Sequence, residues 1–224
     1  MTTWHKILVA RHGQSTWNKL NKFTGWYDSK LTSYGVSQSI NLSKKLKDIK
    51  FKPDIIYCSK QIRAIDTSKV IIDNLDLKNC NLIKSNYLNE RHYGNLTGYD
   101  KKKTNKLFGE LSHKWGKDYY IKPPLFLKPL DIKISNYDYP NYDEVKYGES
   151  LEMTYNRAKN IWNVILNEGK KNNILVVSHS NTIKSIIKNI KDIDTYNYYI
   201  DNSQIFAIFY KYEKCNISYK IEIL

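Results

Sequence analysis

No stretch of the chain stays apolar for long. None approaches the roughly 20 residues that span a bilayer, and the amino-terminal apolar run ending at Ala10 is too short for a secretory signal. The expectation is a cytoplasmic protein with no membrane partner. Cysteine is equally scarce: Cys58, Cys80 and Cys215 are odd in number, irregularly spaced and without a C-x-x-C pair. A disulfide framework is therefore excluded and no zinc-ligand spacing is present; reduced, mostly buried thiols are expected. Arginine is rarer than the charge implies. Of 36 cationic side chains only Arg11, Arg63, Arg91 and Arg157 are arginine, in a chain of net charge +14. Lysine serves where generic positive charge is enough, and arginine is kept for places that need a planar fork of donors. No run interleaves clustered cations with aromatics as nucleic-acid motifs do, so no nucleic-acid partner is expected. Lys101-Lys102-Lys103 reads as a solvated face. Internal repeats and low-complexity tracts are also missing.

What is present is an alternation of strands and helices. Ile7 to Ala10 and Asp54 to Ser59 are short apolar runs of the kind buried on both faces of a sheet, and Asn173 to Ser178 is the clearest of them. Leu82-Ile83 marks a shorter strand. Hydroxyl caps at Leu31 to Gly35 start a helix with apolar positions Val36, Ile40, Leu42, Leu46 and Ile49. Helices follow at Arg63 to Ile72, at Leu151 to Ile165 with a stop at Gly169, and at Ile183 to Ile190. Gln204 to Tyr210 and Ile217 to Leu224 close the sheet. The pattern predicts one α/β domain over residues 1–224: three layers, a mostly parallel central sheet flanked by helices, and a Pro- and Tyr-rich surface excursion over 119–148.

Several strands end in reactive groups. Arg11 and His12 close the first, Ser59 the second with Arg63 behind it, and His179 the last parallel one; Glu90 and Arg91 sit in a polar loop after the short strand. Parallel strands point their carboxyl ends the same way, so these groups converge on one pocket. Neutral imidazole attacks phosphorus, Arg forks neutralise phosphoryl oxygens, and a carboxylate passes a proton to or from a substrate oxygen. Two His with a carboxylate are also a zinc set, which the surrounding cations disfavour. His5 and His113 read as bystanders, and His92 as a structural hydrogen-bonder of its loop. Trp4, Trp115 and Trp162 read as packing residues, and Arg157 as half of a surface or helix pair.

Arg11-His12-Gly13, Thr24-Gly25-Trp26, Ser59 with Arg63, Leu88 to Gly94, Gly148-Glu149-Ser150-Leu151 and His179 together resemble the histidine phosphatase superfamily, and within it the cofactor-dependent phosphoglycerate mutases. The resemblance runs from about residue 5 to 190, and Asn89 to Gly94 is its most specific block. It implies interconversion of 3-phosphoglycerate and 2-phosphoglycerate, primed by 2,3-bisphosphoglycerate and using no metal. It implies His12 as phosphorylated nucleophile, Glu90 as proton donor and acceptor, and Arg11, Arg63 and His179 around the moving phosphoryl group. Asn18 and Asn181 are implied to add donors to that group, and Ser15, Thr24, Gly25, Arg91, Tyr93, Lys101 and Lys117 to bind the rest of the substrate; homodimer and homotetramer both stay open. Gly116-Lys117 stands where relatives carry two arginines, Ser180 where they carry glycine, and Asp201-Asn202-Ser203 where they carry Pro-Thr-Gly. These departures motivate the alternative, a phosphatase of small phosphorylated metabolites; the net charge alone motivates a third, a non-catalytic basic binding protein.

Overall fold

A computed structural model describes residues 3–191, 199–214 and 216–224 of the chain. In chain order the elements are β1 (His5–Arg11), α1 (Thr16–Lys19), α2 (Ser33–Asp48), β2 (Ile55–Ser59), α3 (Ile62–Asn74), β3 (Asn81–Ser85), α4 (Lys101–Phe108), α5 (Glu110–Lys117), α6 (Tyr142–Val145), α7 (Leu151–Glu168), β4 (Ile174–Ser178), α8 (Ser180–Lys191), β5 (Ile205–Tyr212) and β6 (Ile217–Ile223). The six strands form one sheet in the order β3-β2-β4-β1-β5-β6. The first four of these neighbours run parallel, and β5 and β6 add an antiparallel edge.

The central strands are apolar on both faces because both faces are covered. Ile7 and Val9 of β1 join Ile174 and Val176 of β4 in a core with Ala158, Trp162 and Ile165 of α7 and Ile183, Ile186 and Ile187 of α8. Leu8 and Ala10 point the other way with Leu175 and Val177, onto Leu42 and Leu46 of α2 and Ala64 and Ile71 of α3. The period-2 alternation of a strand thus sorts β1 into two cores and makes the α/β domain three layers thick.

Two helix faces differ from the periodicity. On α2 the buried residues are Gly35, Ser39, Leu42, Ser43 and Leu46, while Val36 and Ile49 lie exposed at 38% and 41%. Small residues win that face because α2 approaches the loop after β1 too closely for branched ones. A Cβ on Gly35 would stand 2.1 Å from the Gln14 carbonyl oxygen, and one on Gly13 would stand 2.3 Å from that of Gly35. Gly13 therefore opens space for the neighbouring helix. On α7, Arg157 is buried, which removes it from the surface role expected of it.

Within 119–148, Tyr137, Tyr139 and Val145 are buried against Trp26, so this segment has packed anchors as well as exposed stretches. Trp115 and Trp162 are buried, but Trp4 is 47% exposed. Cys58 is buried, Cys80 is partly so, and both are free thiols; Cys215 lies outside the described residues. Among the described residues no helix is long and apolar enough to cross a membrane.

Candidate active site

The loop after β1 is pinned on both sides. The His12 amide donates to the Ser178 carbonyl at 3.0 Å, Ser203 N–H donates to the Arg11 carbonyl at 3.0 Å, and Asn202 Nδ2 donates to the His12 carbonyl at 2.9 Å. The ring is fixed as well. Its Nδ1 faces the Gly13 carbonyl at 2.6 Å; a carbonyl only accepts, so the proton sits on Nδ1 and the lone pair on Nε2. Arg63 Nε donates to that lone pair at 3.3 Å. Burial, then the charges of Arg63 and Arg11, hold the imidazole well below its ordinary 6.5. His12 is thus a neutral, oriented nitrogen base at neutral pH.

His179, the first residue beyond β4, stands beside it with ring centroids 4.9 Å apart. Its Nε2 lies 2.7 Å from Ser59 Oγ, at the end of β2. Burial, reinforced by Arg63 and His12, lowers this imidazole too. The convergence of β1, β2 and β4 follows from their parallel adjacency in the sheet.

Gln61 ties the next pieces together, and nothing in the sequence marked it. Its Oε1 accepts from Arg63 Nη2 at 3.0 Å and from the Glu90 amide at 2.9 Å, and its Nε2 donates to the Gly25 carbonyl at 2.7 Å. Gly25 adopts φ +49°, a conformation that glycine tolerates, and its carbonyl also accepts from Arg63 Nη2 at 2.9 Å. Arg63 Nη1 is held by the Tyr27 carbonyl at 3.0 Å. A guanidinium anchored on three sides keeps one edge for the imidazole and whatever the imidazole carries.

Behind Glu90 lies a buried ion pair. Arg157 Nε and Nη2 reach Glu149 Oε1 and Oε2 at 2.8 and 3.0 Å, with side-chain exposures of 1% and 0%. Arg157 spends its remaining donors on the carbonyls of Asn86, Tyr87, Asn89 and Glu90. Glu149 accepts from the His92 amide at 2.8 Å, and its carbonyl holds Arg91 Nε at 2.6 Å. His92 Nδ1 accepts from Gly94 N–H at 3.0 Å, as a structural loop histidine does. Residues 86–92 lack a regular ladder, and this pair supplies the partners that their backbone needs.

These groups border a cavity of about 470 Å³. Arg11, His12, Asn18, Thr24, Gly25, Arg63, Glu90, Tyr93, Lys101, Lys117 and Asn181 line it, so the structure brings most of the sequence-nominated residues to one wall. Three others stand elsewhere. Ser15 caps α1, its Oγ accepting from the Asn18 amide at 3.3 Å. Arg91 is fully buried between the Glu149 and Ile121 carbonyls, and His179 abuts His12 from beneath. Lys184, His113, Tyr199 and Asn202 join the wall without having been singled out for it. His113 and Lys102 border the cavity from exposed positions, and Lys101 borders it partly buried. Six cations (Arg11, Arg63, Lys101, Lys102, Lys117 and Lys184) meet one carboxylate, Glu90. The buried Arg11 Nε and Arg91 Nη1 make no hydrogen bond. A cavity with such an excess of cations has the chemistry of an anion site. Among the described residues no group of His, Cys, Asp or Glu is placed to hold a metal ion.

Comparison with known proteins points the same way. The model of the histidine phosphatase superfamily (branch 1) matches residues 7–125 and 128–219. A 2,3-bisphosphoglycerate-dependent phosphoglycerate mutase of Buchnera aphidicola subsp. Baizongia pistaciae is 38% identical over 217 residues, 93% of either chain. One from Staphylococcus haemolyticus is 34% identical over 204 residues, covering 87% of this chain and 90% of its own. Among solved structures, phosphoglycerate mutase from Bacillus anthracis superposes with a TM-score of 0.74 at 22% identity, over 100% of this chain and 93% of its own. A mycobacterial glucosyl-3-phosphoglycerate phosphatase gives 0.78 at 16% identity, over 98% of both chains. At those identities the two structures establish the fold.

Proposed function

The chain belongs to the histidine phosphatase superfamily, and on that premise we propose that it is a 2,3-bisphosphoglycerate-dependent phosphoglycerate mutase, interconverting 3-phosphoglycerate and 2-phosphoglycerate. The carrying observation is the identity of 38% with a mutase of that name over 93% of both chains. The cavity supports it with a neutral imidazole and a carboxylate on one cationic wall.

His12 Nε2 takes up and gives back the phosphoryl group, its lone pair kept available by the Nδ1–H to Gly13 bond. Arg63 and Arg11 neutralise the phosphoryl oxygens as charge builds on them, and His179, held by Ser59, closes the third side. Glu90 accepts the hydroxyl proton of the acceptor oxygen and returns it when the direction reverses. Its backbone is clamped by Gln61, Trp26 and Arg157, so the carboxylate acts from a fixed position. Asn18 and Asn181 present amides to the same oxygens. Asn18 Oδ1 accepts from the Ser15 amide at 3.1 Å, which leaves Nδ2 as the group it offers the cavity. Thr24, Gly25, Tyr93, Lys101 and Lys117 position the glycerate. Arg91 and Ser15 act one step back, Arg91 beneath the Tyr93 ring at 5.8 Å and Ser15 through Asn18. The excess of cations fits a bisphosphorylated primer: Arg11, Arg63, Lys101 and Lys117 would hold 2,3-bisphosphoglycerate, which would supply the phosphoryl group that loads His12.

Purified protein mixed with 3-phosphoglycerate is expected to form 2-phosphoglycerate, faster with 2,3-bisphosphoglycerate and unchanged by EDTA. No 2-phosphoglycerate under any of these conditions overturns the proposal, and phosphate release outpacing isomerisation selects a phosphatase instead.

A further inference from the structure

Lys184 sits in the second turn of α8 and is 5% exposed. Buried lysines ordinarily pair with a carboxylate or run their stem to water. Among the described residues no hydrogen bond or ion pair holds Lys184, and its stem runs to the cavity that it lines. Ser180 and Asn181, one turn and three residues earlier, line the same cavity, so the lysine is on the inward face of the helix. The charged groups facing it are Lys117 of α5, Glu90 of the loop after β3, Arg11 of β1 and Lys101 of α4. Three of these four repel it.

The cavity therefore has two electrostatic ends. His12 feels Arg63 and Arg11, the guanidiniums at the start of α3 and the end of β1. Lys184 feels Lys117 and Lys101 instead of Arg63. Only Arg11 is common to both ends. A phosphoglycerate likewise carries two anionic groups: the phosphoryl ester that moves and a carboxylate a few bonds away. A buried ammonium among like charges is costly unless an anion arrives to meet it. Resting on the phosphoryl-transfer reading above, we propose that Lys184 is a specificity-determining residue whose ammonium holds the anionic group of the substrate remote from the phosphoryl group in transfer.

The chain departs from the resemblance at Gly116, and this assignment explains how recognition persists without a second arginine there. Gly116 adds no side chain to the wall, and a lysine from the opposite element supplies the cation. The charge so supplied is conditional. Burial and the neighbouring cations hold Lys184 down at about 8, and Lys101 likewise at about 8. Affinity for a doubly anionic ligand thus falls as pH rises through 8, because the ammonium that meets the second anion loses its proton.

The test is calorimetric binding of 3-phosphoglycerate and, separately, of inorganic phosphate to the full chain, in wild type, Lys184→Met and Lys184→Arg. Lys184→Met is expected to weaken 3-phosphoglycerate about 10- to 100-fold, the range of a lost charged hydrogen bond, and to leave phosphate within about twofold. Lys184→Arg keeps 3-phosphoglycerate binding near wild type at pH 7 and flattens its decline above pH 8, since guanidinium stays charged. Unchanged 3-phosphoglycerate affinity in Lys184→Met, or equal weakening of both ligands, overturns the assignment. If that variant does not fold, the remaining pair decides, and equal alkaline decline in wild type and Lys184→Arg overturns it. Binding needs no turnover, so an absence of isomerisation would defeat the mutase reading and leave this measurement intact.

Discussion

The two ends of the cavity are built from different cations. All four arginines are buried and anchored on main-chain carbonyls: Arg63 on Gly25 and Tyr27, Arg91 on Glu149 and Ile121, Arg157 on four carbonyls of residues 86–90, Arg11 on Ile200. The opposite end has Lys101, Lys117 and Lys184, point charges on flexible stems. A rigid fork does not titrate and does not move, which suits a phosphoryl group passing through a fixed geometry. Lysines suit a part of a ligand that only has to be held, and burial brings the titration of Lys101 and Lys184 down to about 8. The contrast teaches that in this cavity orientation and recognition are assigned to different chemistry.

Substitutions separate the two ends. His12→Asn keeps the shape of the site and removes the proposed nucleophile; isomerisation should fall by more than about 10⁴-fold, with no acid-labile phosphoprotein formed, while 3-phosphoglycerate still binds. Residual phosphoprotein in that variant would move the chemistry away from the rigid end. Glu90→Gln removes the proposed proton carrier, and kcat should fall about 10²- to 10⁴-fold with a much smaller change in KM. A change confined to KM would class Glu90 with the recognition end instead. Arg157→Met leaves Glu149 buried without its partner, and urea unfolding should report a loss of about 3–5 kcal/mol. A loss under 1 kcal/mol would mean that the loop carrying Glu90 is held by packing alone. The gentlest probe is pH. The fold lowers His12 and His179 below 6.5 and His92 to about 4, so the unfolded chain binds these protons first. Their stabilisation is complete above 6.5 and is lost as pH falls toward 4, at up to about 1.4 kcal/mol per pH unit for each. The melting temperature should drop between pH 7 and 5, and a flat profile would show that the histidines are not held neutral.

Much of this was legible beforehand. Short apolar strands ending in Arg11-His12, in Ser59 and beside His179 announce a parallel sheet with chemistry at one edge, because strand direction carries their ends to the same side. Lys184 was not legible. Its helix is recognised by Ile183, Ile186, Ile187 and Ile190, and a lysine among them reads as the polar margin of an amphipathic face. Whether that margin meets water or a cavity depends on α4 and α5 lining the same cavity, and no local pattern encodes that meeting. Gln61 is hidden for a related reason: an amide just before a helix has no periodic signature, and its three bonds run to residues 25, 63 and 90. Arg157 looked like a surface residue because its partner chain, residues 86–92, is irregular and adjacent only in space.

By itself the sequence determined the kind of layer each segment joins and which side chains arrive at the strand ends, since alternation, helical spacing and caps act over a few residues. Tertiary structure alone decided which charges face one another. Burial turned His12 and His179 into neutral bases, paired Arg157 with Glu149, and set Lys184 unpaired among cations. Desolvation and Coulomb energy depend on distances between residues far apart in the chain, and only the packed fold sets those distances.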